Sequence, residues 1–268
     1  MFGYTPSPII FQIGPFALRW YGLLIVTGVI LGTYAAARLA QRQGYDPDHA
    51  WNVLLWLLGF GIVGARLQFV LSSSLESAEM RQFYLSNPFN IIATWQGGLG
   101  IYGALIGGAL GMALYCRRAG FPFWKLANFV FVGVPLGQAI GRWGNFFNQE
   151  LYGQPTTLPW AVTIDPAHRL PGYEQYATFH PTFLYESLWS LIGFGILFWL
   201  VWRYGDRLLD GEVVGLYFVW YPLGRFLVEF VRLGSTYLGG LSPAQWLSLA
   251  AVAIALAATA ARRARRRA

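Results

Sequence analysis

Residues Gly137 to Gly153 read Gly-Gln-Ala-Ile-Gly-Arg-Trp-Gly-Asn-Phe-Phe-Asn-Gln-Glu-Leu-Tyr-Gly. The stretch begins as the end of an apolar helix and then places Arg142, Asn145, Asn148 and Glu150 within nine residues. Glycines at 141, 144 and 153 let a ligand come close to the backbone. Polar groups at the edge of hydrocarbon are costly unless they find partners, so such a cluster is a functional-site candidate. A snorkelling arginine above an amide-rich turn that closes a helix end gives the same residues a purely structural reading.

Composition sets the surroundings of that stretch. The 268 residues are 56% hydrophobic and 12% charged, against roughly 25% charged in a soluble domain, which makes the chain an integral membrane protein. Twelve tryptophans within 18% aromatic content suit rings that line both membrane interfaces. The net charge of +7 does not imply a nucleic-acid partner, because most of the excess lies in short loops and a tail. Cys116 is the one cysteine, which excludes an internal disulfide and a multi-cysteine metal site. No cleavable signal is expected, since residues 1–16 lack a basic leader and contain Pro6, Pro8 and Pro15.

A spanning helix needs about 20 mostly apolar residues. Seven runs approach this, the fourth short and ending at the polar cluster: Trp20–Ala37, Trp51–Leu71, Leu99–Tyr115, Ala127–Ile140, Phe183–Trp202, Val213–Val231 and Pro243–Ala261. The expected fold is therefore all-α, a single polytopic membrane domain over residues 1–268. Basic residues orient it. Arg38 and Arg42, Arg117, Arg118 and Lys125, Arg203 and Arg207, and the run from Arg262 to Arg267 all follow odd-numbered helices. That side is cytoplasmic, along with the C-terminus, and the N-terminus lies outside. Two outer loops are long, which in a compact protein marks function. Residues 72–98 have the character of an amphipathic surface arm. Residues 142–182 carry five prolines with His168 and His180 and form a small periplasmic head.

Other polar residues converge on the same outer level. Arg225 and Glu229 are four apart in the sixth helix, so they share a face and can pair. An ion pair there should point into the bundle, as a structural bridge or as part of a site. With Arg142 and Arg232 nearby, the arginines invite an anion, and a planar guanidinium fork suits phosphate oxygens. His180 and Glu186 open the fifth helix, where Pro181 and an early carboxylate have a sufficient structural account. Arg19-Trp-Tyr-Gly22 anchors the first helix, with Tyr21 directed inward. No His-Glu-x-x-His, carboxylate cluster or Gly-x-Ser-x-Gly elbow appears, so no metal and no cofactor is expected.

Gly141-Arg-Trp-Gly-Asn-Phe-Phe-Asn-Gln-Glu-Leu-Tyr-Gly153 resembles the signature of bacterial prolipoprotein diacylglyceryl transferases, which runs Gly-Arg-x-Gly-Asn-Phe-x-Asn-x-Glu followed by an aromatic residue and glycine. Arg19-Trp-Tyr-Gly22, Trp95-Gln-Gly-Gly98, His180-Pro-Thr-x-Leu-Tyr-Glu186 and Arg225-Phe-Leu-Val-Glu229 resemble further family motifs, in the family's order. The resemblance implies transfer of the sn-1,2-diacylglyceryl group of phosphatidylglycerol to the lipobox cysteine of a preprolipoprotein signal peptide. A thioether forms and glycerol phosphate leaves, in a bacterial inner membrane whose lipids surround the enzyme. By the same resemblance Arg142 and Arg225 hold the phosphate. Asn145, Asn148, Glu150, Gly153 and Glu229 position headgroup and arginines, and Tyr21 lines the cavity. Two positions depart from the family. Tyr102 stands where it commonly has a histidine proposed as general base, and Phe183 where it often has glutamine. A phenol with pKa near 10 is a poor base at neutral pH. Either an arginine activates Tyr102, or the thiol loses its proton without a dedicated base. A small-anion carrier built on the same arginines is the competing reading, and a lipoprotein-binding scaffold is a third.

Overall fold

The computed structural model describes residues 5–14, 16–234 and 237–267, and, within these, all side chains except those of Gln96 and Arg267. Residues 1–4 and Pro15, within the stretch expected to carry no cleavable signal, and the side chain of Arg267 in the basic tail, lie outside the described part. Among the described residues, helices of 18 or more occur at all seven expected places. They are α1 (Trp20–Arg42), α2 (Asp48–Glu76), α5 (Ile101–Ala119), α6 (Phe123–Phe147), α7 (Thr182–Tyr204), α8 (Glu212–Glu229) and α9 (Pro243–Arg267). Short helices α3 (Ala78–Ser86) and α4 (Phe89–Ile92) follow α2. By length and composition α1, α2, α6, α7 and α9 can cross a membrane. α8 carries Glu212, Arg225 and Glu229, and glycine-rich α5 ends on Arg117 and Arg118.

The all-α expectation needs one correction. Strands β1 (Ile9–Ile13) and β2 (Phe16–Arg19) pair antiparallel ahead of α1, and β3 (Val162–Thr163) pairs antiparallel with β4 (Thr178–Phe179) in the head. β3 and β4, two residues each, are too short to show as an alternating pattern, and β1 reads Ile-Ile-Phe-Gln-Ile, an apolar run that does not alternate.

The chain forms two compact units, one comprising Asp46–Leu126 and the other the segments on either side of it. In the first, α2 and α5 pack antiparallel along a run of small residues. A Cβ at Gly103 would stand 2.1 Å from the Gly64 carbonyl oxygen, one at Gly107 2.1 Å from that of Phe60, and one at Gly111 2.5 Å from that of Trp56. Small residues that bring backbones together are how helices associate where lipid removes the hydrophobic driving force. Cys116 is buried here as a packing residue.

In the other unit α1 and α6 cross in the same way. Gly28 faces Gly137, and a Cβ at Gly133 would meet the Gly32 carbonyl oxygen at 2.3 Å. α7 and α8 are joined by Trp189 and Trp220, whose rings stack at 4.5 Å while each indole N–H donates to the other's carbonyl at 2.9 Å. Ser242 and Gln245 cap α9 reciprocally: Ser242 N donates to Gln245 Oε1 and Gln245 N to Ser242 Oγ. At the end of this unit opposite the polar cluster, buried Glu212 pairs with Arg263 of α9. Asn128 of α6 there donates to Leu209 O and accepts from the backbone N–H groups of Gly211 and Val213.

Gly133→Val is expected to force α1 from α6, a cost of about 1–3 kcal/mol for overpacking, and to lower the melting temperature of the detergent-solubilised protein. Gly195→Ala, where an added Cβ meets nothing within 4 Å, should leave it unchanged or slightly raised. Equal melting temperatures for the two variants would contradict the crossing.

Candidate functional site

The cluster begins with the way α6 stops. The apolar run ends at Ile140, yet the helix continues to Phe147, so Arg142 and Asn145 sit in its last turns and the head begins beyond them. Glu150 N donates to Asn145 O at 3.0 Å and Gln149 N to Phe146 O at 3.1 Å. This is the 6→1 and 5→2 pattern that closes a helix around a left-handed residue. That residue is Gln149, with φ of 51°, a conformation glycine adopts freely and glutamine does not. Its side chain holds it there: Gln149 Nε2 donates to Asp165 Oδ2 and Asp165 N donates back to Gln149 Oε1, both at 2.8 Å. The sharp turn brings the Glu150 carboxylate back over the helix, where it accepts from Asn145 Nδ2 at 2.8 Å and Asn148 Nδ2 at 3.2 Å. Gln149 and Asp165 were not singled out from sequence, and a non-glycine residue where a helix closes gives no signal by itself.

Arg142 donates to Asn145 Oδ1 at 3.5 Å and forms an ion pair with Glu186 of α7. Glu186 thus does more than complement a helix dipole. It lies in the second turn of α7 and anchors the cluster's first arginine. Arg225 and Glu229 pair at 2.5 Å, as their four-residue spacing allows. One turn before Arg142, Gln138 Nε2 donates to Tyr217 Oη of α8 at 2.8 Å.

Gly153 fixes the approach of the head to α8. Gly153 N donates to His180 O, Gln154 N to Val231 O and His180 N to Gln154 O, at 2.8–2.9 Å. A Cβ at Gly153 would stand 2.4 Å from Val231 O, so only glycine fits. The resulting bridge between Gly153 and Arg232 sets Arg232 beside the cluster. Burial first, then the Arg225 charge, pull its guanidinium pKa down, and Glu186, Glu229 and Arg142 also act on it electrostatically. These five charged groups therefore form one coupled set. Beneath the head, Tyr152, Val162, Ile164, Phe179, Phe183 and Leu233 make a buried apolar core. Phe183 is part of that core and packs edge-on to Trp143 at 5.4 Å.

Tyr21 packs against the cluster: a Cβ at Gly144 would meet its ring at 2.3 Å, and Trp20 stacks on Phe147 at 4.7 Å. The structure thus gathers Tyr21, Arg142, Asn145, Asn148, Glu150, Gly153, Arg225 and Glu229 within one unit. Tyr102 belongs to the other, in the first turn of α5, 61% exposed. There it lines an apolar groove of about 570 Å³ with Phe60, Leu67, Gln68 and Ile106. Among the described residues no group of three or more His, Cys, Asp or Glu is placed to hold a metal.

A family model described as prolipoprotein diacylglyceryl transferase matches residues 8–261. A phosphatidylglycerol–prolipoprotein diacylglyceryl transferase of Nostoc sp. is 42% identical over 259 residues, covering 96% of this chain and 89% of the relative. Namesakes from Synechococcus elongatus, 44% identical over 253 residues with 93% and 85% covered, and Gloeobacter violaceus, 43% identical over 253 residues with 94% and 91% covered, are similarly close.

His180 gives the head a pH signature. Its Nδ1 lies 3.0 Å from Tyr185 Oη, and burial lowers its pKa below the usual 6.5. The unfolded chain then binds more protons than the folded one between the folded value and about 6.5, so stability falls as pH drops through that window and is fully present above it. Melting temperature should decline from about pH 7 towards pH 5, and His180→Gln should flatten the decline. An unchanged slope in the variant would assign the pH dependence to other groups.

Proposed function

The chain belongs to the prolipoprotein diacylglyceryl transferase family, and from that premise we propose that it transfers the sn-1,2-diacylglyceryl group of phosphatidylglycerol to the lipobox cysteine thiol of preprolipoproteins. The observation that carries this reading is the coupled set of Arg142, Arg225 and Arg232 at one end of a bundle of apolar helices. Such a set suits one anionic phospholipid phosphate.

In this reading the thiol loses its proton, the sulfur attacks the glyceryl carbon that bears the phosphate, and the carbon–oxygen bond breaks. The electron pair leaves on the phosphate oxygen, so glycerol phosphate departs with one more negative charge than the diester carried. Arg142 and Arg225 meet that developing charge from fixed positions, which is worth more where water is excluded. Glu186 and Glu229 hold the two guanidiniums in place beforehand. Asn145, Asn148 and Glu150 orient the headgroup, Gly153 admits it close to the backbone, and Tyr21 closes one wall. Tyr102 is a substrate-side residue, and the thiol loses its proton without a dedicated base.

The proposed setting is a single inner-membrane domain with all seven long helices spanning. The N-terminus and the head, residues 142–182, are periplasmic, and the arginine-rich C-terminus is cytoplasmic. Segment 72–98 lies on the outer surface, in keeping with exposed Leu75, Phe83, Phe89 and Trp95. No cofactor is required, since the reaction is a displacement with no change of oxidation state.

Purified protein mixed with phosphatidylglycerol and a lipobox peptide should yield the thioether-linked peptide by mass. Its absence would favour a carrier or a scaffold. Arg142→Ala should lower the rate by roughly 30- to 1000-fold, the equivalent of about 2–4 kcal/mol of transition-state stabilisation. Arg142→Lys should recover little of it, so near-normal turnover by the lysine variant counts against the phosphate role. Glu229→Gln, whose amide oxygen still accepts from Arg225, should reduce turnover with a modest loss of melting temperature. A change confined to melting temperature would make the pair structural.

A further inference from the structure

Arg66 lies within α2, in a run otherwise apolar enough to span a membrane, and is only 6% exposed. Its guanidinium faces backbone oxygens. Nε donates to Ile91 O at 2.8 Å, Nη2 to Asn90 O at 2.6 Å, and Nη1 to Gly97 O at 2.7 Å and Gly98 O at 3.0 Å. The rings of Phe69 and Tyr84 flank it at 5.7 and 6.0 Å. Among the described residues no carboxylate pairs with it. An arginine buried this way is expensive, and such residues persist in membrane helices where they are used.

The cage holds two short stretches, Asn90–Ile91 and Gly97–Gly98. Gly97 and Gly98 have φ of 85° and 74°, a left-handed pair with no side chains of its own to fix it. A Cβ at Gly98 would meet Phe69 at 2.4 Å and Arg66 Nη1 at 2.8 Å, so the turn lies flat on α2. Two further bonds from α2 continue the grip: Gly100 N donates to Ala65 O at 2.9 Å, and Gly103 N to Gln68 Oε1 at 2.6 Å. Residues 97–103 are thus held by hydrogen bonds with Ala65, Arg66 and Gln68 of one helix, and Tyr102 rides on them.

We propose that Arg66 is a positioning residue for the transfer reaction, acting through the 97–103 elbow that carries Tyr102. The proposal rests on the reading of Tyr102 as substrate-side. Only a guanidinium offers enough donors in a fixed plane for four carbonyls. A lysine keeps the charge but has three donors at one point. Displacing a substrate-contacting group by about 1 Å costs up to roughly 100-fold in rate.

The test compares wild type with Arg66→Lys and Gln68→Leu in the full-length membrane protein. Turnover number and KM for phosphatidylglycerol are measured at a temperature well below every variant's melting point, and amide exchange is followed by peptide mass. Arg66→Lys should remain folded, exchange faster over 90–103, and lose about 10- to 100-fold in turnover number per folded molecule. Gln68→Leu, which frees only the Gly103 end, should show the same signature more weakly. Should Arg66→Lys fail to fold, the Gln68→Leu result decides alone. Turnover per folded molecule within about twofold of wild type, in the variants that fold, overturns the proposal. Wild type that makes no thioether overturns instead the reading of the reaction, and the two failures appear in different proteins.

Discussion

Two arginines held at one end of a helical bundle by one carboxylate each are the arrangement on which the other features depend. A guanidinium removed from water without a partner is strongly destabilising, and pairing it with a carboxylate on a neighbouring helix offsets that cost only when both ends are held. Arg142 is therefore tied to Glu186 across α6 and α7, and Arg225 to Glu229 along α8. The head, the end of α6 and the first turns of α7 serve to keep these groups together. The left-handed Gln149, the Asp165 latch and the close contact at Gly153 follow from that requirement.

Glycine makes the geometry possible. α1 and α6 approach until the backbone of Gly133 lies against that of Gly32, which carries the polar end of α6 to the start of α1. Tyr21 then packs on Gly144, two residues beyond Arg142. In the other compact unit a similar glycine seam joins α2 to α5, and the buried charge of Arg66 is spread over four carbonyls in place of a carboxylate. The protein thus uses two solutions for an arginine carried on an apolar helix, an acid where charge is to be balanced and a backbone cage where a segment is to be fixed.

Much of this was legible in the sequence because it rests on local spacing. Runs of about 20 apolar residues located the seven long helices, and four-residue spacing gave the Arg225–Glu229 pair. What escaped depends on long-range partners. Glu186 lies 44 positions after Arg142, and its early place in a helix already had a sufficient explanation. Arg66 pairs with carbonyls, which every residue carries, so no partner could be read from residue types. The end of α6 ran seven residues past the close of the continuous apolar run at Ile140 because polar side chains, and not hydrophobic periodicity, close that helix. The two small sheets are set by the turns and loop contacts around them.

The central claim is that the cluster receives the phosphate of an anionic phospholipid. Native mass spectrometry after delipidation, with phosphatidylglycerol and a zwitterionic phospholipid of identical acyl chains offered at equal concentration, tests it directly. The account predicts that wild type retains phosphatidylglycerol preferentially and that Arg225→Gln loses the preference while still binding lipid. Equal retention of the two lipids by wild type, or an undiminished preference in the variant, would contradict it.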